Sequence, residues 1–192
     1  MSRWIGDADM DEWAELFTGY TKSAFRFECQ QTYSSPEEDA AVARFVAGQP
    51  HGIDLSWVVP KTRAQIAAGR TKTVVRVVVE PPTDYTRLEL TVYPELTAEG
   101  QDVQIIAVPS GHWPAQLPTQ DFWLFDDHDV WRMHYNEDYT FRGAELIEGE
   151  ELLDQHLQWR DIALAQAIPL HDYLTARRVR TEPSPVAHPS TQ

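Results

Sequence analysis

The chain has one cysteine, Cys29, and three lysines, Lys22, Lys61 and Lys72, in 192 residues. A single thiol excludes an internal disulfide framework and any zinc site built on cysteine. Apolar runs are short, and none approaches the roughly 18–20 residues that cross a bilayer. The start, Met1 to Asp7, has no basic stretch followed by an apolar one, so it does not read as a secretory leader. These absences lead us to expect a cytoplasmic protein. Shortage of lysine also removes phosphate-cradling loops. Gly69-Arg70-Thr71-Lys72-Thr73 has a Lys-Thr pair but lacks the glycine spacing, and it leads into a strand rather than a helix. No dinucleotide glycine fingerprint and no nucleophile elbow occur. Basic clusters able to release phosphate counterions are missing as well, which argues against direct nucleic-acid binding.

Apolar residues make up 42% of the chain and aromatics 11%, including seven Trp, which suffices for a core in one domain. The net charge is −14. Acid is concentrated late: residues 121–192 hold fourteen acids and six bases. That imbalance fits simple solubility or a partner with a basic face.

Hydrophobic periodicity sets out the elements. Asp9 or Asp11 caps a first helix with Trp13, Leu16, Phe17 and Tyr20 on one stripe. Residues 23–31 alternate as a strand, with Phe25, Phe27 and Cys29 against Arg26 and Glu28. Ser34-Ser35-Pro36-Glu37-Glu38 is a helix start with a Ser cap, an early Pro and a capping-box Glu. A short helix is expected over 62–68. Thr73–Val79 reads as a central strand, apolar on both faces. Residues 83–99 fit either period, and a helix capped by Thr83 or Asp84 is favoured. Val103–Val108 is a second buried strand. Residues 122–125, 130–135 and 141–147 form an antiparallel meander, followed by a long helix from 148 that ends before Pro169. The expected class is mixed α/β (α+β): a mixed sheet with a C-terminal antiparallel meander, covered by helices. The expected organisation is one globular domain over 1–175, with 1–50 a helical N-terminal part and 176–192 a disordered tail rich in Pro, Ser and Thr.

Asp126, Asp127, His128, Asp129 and His134 crowd one hairpin and offer metal ligands. Their spacing matches no known site, and a solvated turn is the plainer reading, so no metal and no cofactor are expected. Glu148, Glu150 and Glu151 suit a helix N-terminus. Lys61 to Arg87 carries six bases against two acids. Arg63, Arg70, Lys72 and Arg87 are the candidates there for binding an anion, set against simple pairing with the acidic meander. Arg76, inside a buried strand, requires a carboxylate partner. Cys29 reads as a buried, inert thiol.

The run Asp121-Phe122-Trp123-Leu124-Phe125-Asp126-Asp127, with Val130, Met133-His134-Tyr135, Gly143-Ala144-Glu145, Trp159-Arg160-Asp161 and Pro169, resembles an uncharacterised actinobacterial family. Ser23-Ala24-Phe25-Arg26, Glu80-Pro81 and Thr83-Asp84-Tyr85 share that resemblance, which spans about 10–175. Members are often encoded beside helix-turn-helix regulators, so the resemblance implies a regulatory accessory role. The element order is also similar to half of a phospholipase-D-like domain. That family's chemistry requires His-x-Lys, which this chain lacks. The expectation is a non-enzymatic protein whose acidic surface meets a basic protein partner, such as a helix-turn-helix regulator. Trp123, Asp126, Asp127, Asp129 and Trp131 are its contact candidates. The alternatives are a sensor of a small anionic ligand and an enzyme with an unfamiliar site.

Overall fold

The computed structural model describes residues 3–177. In chain order the elements are β1 (Trp4–Gly6), α1 (Met10–Gly19), β2 (Ser23–Glu28), α2 (Pro36–Val46), α3 (Val59–Ala67), β3 (Thr71–Glu80) and α4 (Asp84–Ala98). There follow β4 (Asp102–Pro109), β5 (Phe122–Phe125), β6 (Asp129–Tyr135), β7 (Phe141–Ile147), α5 (Glu150–Gln166), β8 (Ile168–Pro169) and α6 (Leu170–Arg177). The strands join in one mixed sheet ordered β1-β7-β6-β5-β2-β3-β4-β8. Strands β2, β3 and β4 run parallel, and every other pairing is antiparallel. The fold is therefore the mixed α/β class read from the sequence, meander included.

Local chemistry explains the helix starts. Ser35 accepts a hydrogen bond from the Glu38 amide at 3.2 Å, and Pro36 opens α2. Thr83 accepts from the Thr86 amide at 3.1 Å, which resolves residues 83–99 as a helix. That helix continues past Pro94 to Ala98. Two short edge strands, β1 and β8, escape the sequence reading, because three and two residues carry no alternation to detect. Strand β1 lies close on β7. A Cβ at Gly143 would come within 2.7 Å of the Ile5 carbonyl oxygen and strike the Trp4 ring, so only glycine fits there. Residues 1–50, expected to be helical, hold α1 and α2 together with β1 and β2. The tail expected to be disordered lies outside the described residues from 178 onward.

The two sheet faces differ. Phe25, Phe27, Val75, Val77, Ile106, Val108, Phe122, Leu124 and Val130 point to one side and pack under α5 through Leu153, Leu157, Ile162 and Ala163. On the other side, α1 lays Trp13, Leu16 and Phe17 over Trp123, Phe125 and Trp131. Helices α4 and α6 cover Val78, Val103 and Ile105 with Leu90, Tyr93, Leu170 and Tyr173. Between those two apolar clusters runs a band of charge over β2 and β3. The expectation that β3 is apolar on both faces fails there, because Arg76 is fully buried in it.

Candidate functional site

Alternation along β2 creates the band. Phe25 and Phe27 go to the α5 side, so Arg26 and Glu28 must face the other way. The register sets Arg26 beside Val74 and Trp123, and Glu28 beside Arg76. Helix α4 contributes Thr86, Glu89 and Tyr93. The segment after β2 brings Gln30 and Tyr33, and Asp121 and Tyr135 arrive from the ends of the meander strands.

The inner half of this cluster is closed. Arg76 donates to Glu89 Oε2 through Nε at 2.9 Å and lies 2.7 Å from it through a terminal nitrogen. It also donates to Thr86 Oγ1 at 3.3 Å and to the Gln30 carbonyl. This is the carboxylate partner that a buried arginine demands. Tyr93 donates to Glu28 at 2.8 Å and lies 3.3 Å from Glu89. Burial pushes the Glu89 carboxyl up to about 7, against the pull of Arg76, and the Glu28 charge adds to the rise. Asp121 is 1% exposed and accepts from the Cys29 amide at 2.7 Å, the Gln30 amide at 3.2 Å, the Tyr135 hydroxyl at 3.0 Å and the Tyr33 hydroxyl. Burial first, and then the Asp121 charge, push the hydroxyls of Tyr33 and Tyr135 and the Cys29 thiol well above their ordinary ranges. None of these three is a ready nucleophile or base.

The outer half is not closed. Arg26 pairs with Glu28 at 2.7 Å, and its guanidinium lies 5.2 Å from the Trp123 ring centroid and 5.7 Å from that of Tyr33. Its Nε is buried without a hydrogen-bond partner, while the side chain as a whole stays 23% exposed. Lys72 sits on the same face, opposite Ala24 in the register. Burial, helped by the Arg26 charge and opposed by Glu28, lowers its ammonium to about 8. Among the described residues that ammonium makes no hydrogen bond or ion pair. Two cations thus share one carboxylate at the open side of the band.

The sequence candidates do not gather at one place. Arg63 is bound to Glu99 through two bonds of 2.6 and 2.7 Å. Arg87 pairs with Asp84 at 3.0 Å, and Arg70 donates to the Thr18 carbonyl at 3.1 Å. Only Lys72 lies in the band. The partners of Arg63, Arg76 and Arg87 come from α4 and its C-terminus rather than from the acidic meander, which corrects the pairing expected from the sequence. Trp123 and Trp131 are 4% and 1% exposed, so both rings are core under α1 and not surface contacts. Asp126 holds a turn: it accepts from the amides of Thr21, Lys22 and Ser23 and from the Thr21 hydroxyl at 2.7–3.0 Å. Burial works against its charge, but those bonds prevail and hold its carboxyl down at about 2. Asp127 pairs with Arg160 at 2.5 Å, and Asp129 lies 2.9 Å from His128. Among the described residues no group of three His, Cys, Asp or Glu side chains is placed to hold a metal, and no helix is long and apolar enough to cross a membrane.

Sequence reasoning missed Arg26, Glu28, Tyr33, Glu89 and Asp121. One signal was available: charged residues at alternate positions of β2, next to a strand carrying Arg76, mark a polar stripe on the side opposite Phe25 and Phe27.

Comparison with known proteins adds little about activity. None of the curated proteins matches the sequence. One solved structure that resembles the fold is the archaeal chromatin protein TrmBL2, described as showing a novel mode of DNA binding. The TM-score is 0.45 at 9% identity, and the alignment covers 86% of this chain and 51% of that one. A likeness that distant says nothing about what this chain binds. The family model is informative in extent, since it runs from α1 into α6: the chain belongs to the DUF6879 family, a domain of unknown function matched over residues 11–175.

Proposed function

We propose that this protein is a non-catalytic binding module that takes a small anion, a phosphate- or carboxylate-bearing metabolite, between Arg26 and Lys72. One observation carries this reading. Arg26 keeps a buried Nε without an acceptor, beside a lysine whose ammonium has no partner among the described residues. An unmet buried donor costs about 1–3 kcal/mol, and an oxyanion would satisfy it. The closed inner half supports the site by fixing Glu28 and Tyr33, which hold the guanidinium in place. Thermal-shift and calorimetric titration with inorganic phosphate, citrate and a nucleoside monophosphate test the reading. At least one should raise the melting temperature with saturation, and Lys72→Met and Arg26→Met should abolish the effect. Silence with all three anions, or binding that both variants retain, overturns it.

A second reading is favoured by the outer surface of α5. Glu150, Glu151 and Asp154 are exposed there and make no ion pair among the described residues. This acidic face suits a basic partner, such as a helix-turn-helix regulator of the kind implied by the actinobacterial resemblance, in a cytoplasmic accessory role. Reversing these three charges should abolish a salt-sensitive pull-down of such a regulator. Asp126 is a poor choice for that experiment, because its loss breaks the turn.

A further inference from the structure

We propose a second ligand site on the α5 face, in the cleft between Arg132 and His156, for a small aromatic carboxylate that also carries a hydroxyl or amino donor. The cleft is about 290 Å³ and is lined by residues 117–122, Arg132, His156 and Trp159. That is room for a single ring.

Two observations make it more than a dent. His156 is 1% exposed, and its Nδ1 lies 2.7 Å from the Leu152 carbonyl. A carbonyl only accepts, so Nδ1 carries the proton. Burial, with the Arg132 charge in support, lowers the ring below the ordinary histidine value despite the Leu152 bond. At neutral pH the imidazole is uncharged and its Nε2 is a lone pair, with no hydrogen-bond partner among the described residues. Arg132 is the complement. It stands beside Phe122 in the β5–β6 register and makes no hydrogen bond or ion pair among the described residues. Glu145, opposite it on β7, is engaged by His134 at 3.2 Å.

The remaining walls are flat. The His156 ring meets Phe122 at 5.0 Å and 85°, and Trp159 at 4.8 Å and 76°. Trp113 braces the 117–122 segment by donating to the Leu117 carbonyl at 3.3 Å, and Gln120 does so by donating to the Met133 carbonyl at 3.3 Å. A charged donor, an acceptor lone pair and aromatic walls thus frame one small space. A carboxylate answers Arg132 with paired bonds. An O–H or N–H on the same ring answers Nε2. A simple anion would leave Nε2 unmet, and a neutral ring would leave Arg132 unmet, so the site selects the bifunctional molecule.

The probes are 2-, 3- and 4-hydroxybenzoate, with benzoate and phenol as one-ended controls, followed by calorimetry and by ¹⁵N NMR of the histidine side chains. At least one isomer should bind with saturation, about ten-fold or more tightly than either control, because each control answers only one of the two polar groups that line the cleft. The His156 Nε2 resonance should shift as it saturates. Arg132→Gln, at a partly exposed position, should abolish binding while leaving the melting temperature unchanged, and Arg26→Met should leave it intact. No saturable binding by any isomer at about 10 mM, binding indifferent to Arg132→Gln, or an unmoved Nε2 resonance at saturation overturns the proposal.

Discussion

The two faces of the sheet are built from the same strands and held by different physics. Under α5 the contacts are carbon: Phe25, Phe27, Phe122 and Leu124 are at most 4% exposed. Each such side chain contributes about 1.5–3 kcal/mol by leaving water, and none depends on a single partner. Across β2 and β3 on the other face, Arg76, Glu28, Glu89 and Asp121 are stable only because each is answered by another. An apolar face tolerates local loss in proportion to volume. A charged band loses cooperatively, because removing one member strands the rest.

The largest expected effect tests that difference. Arg76→Met should destabilise by about 3–5 kcal/mol in urea titration, because Glu89 is left buried without its cation while Glu28 keeps only Arg26. Adding Glu89→Leu should recover part of the loss, with a coupling energy above about 1 kcal/mol. Leu124→Ala on the α5 face should cost about 2–5 kcal/mol. Combined with Arg76→Met it should be additive, since the two lie on opposite sides of the sheet. Additivity within the Arg76–Glu89 pair would erase the contrast between the faces.

A second contrast concerns pH. Glu89 is raised to about 7 in the folded protein from an ordinary 4.5. The native state therefore holds a proton that the unfolded chain releases. Its stabilising contribution is complete below about pH 4.5 and disappears as pH climbs to 7. His156 is lowered from 6.5, so its contribution is present above 6.5 and is lost as pH falls. The faces thus titrate in opposite directions. The stability difference between the wild type and Glu89→Gln should shrink from pH 4.5 to pH 7. The difference between the wild type and His156→Phe should grow from pH 5 to pH 7. Parallel slopes would contradict the assignment of one titrating group to each face.

How much of this was legible follows the same division. The α5 face is periodicity, so strands 122–125 and 130–135 and the stripe Leu153, His156, Trp159 and Ile162 can be read from spacing alone. Even the uncertain helix at 83–99 had a signal in Thr83, an N-cap three residues before Thr86. The charged band is different. The need of Arg76 for a carboxylate was readable, but not that Glu89, one of thirty acids, would supply it. That depends on how α4 crosses the sheet, which no local pattern records. Trp123 and Trp131 misled for a related reason. They alternate with residues on the α5 face, and only the docking of α1 decides that their own face is covered too.

The smallest effect tests whether the hairpin at the sheet end belongs to either system. Asp126→Ala removes one acceptor shared by three backbone amides and a hydroxyl, in a turn where Asp126 has φ 54°. The carboxyl is partly open to water, so the loss should be only about 1–2 kcal/mol. Its folded value near 2 lies below the ordinary 3.8. The clamp therefore contributes fully above about pH 4 and disappears as pH drops through 2. If the hairpin is a separate local clamp, the Asp126→Ala loss measured at pH 7 should be the same in the wild-type and Arg76→Met backgrounds. A loss that changes with Arg76 would instead join the turn to the charged band through β2, whose first residue Asp126 holds and whose last is Glu28.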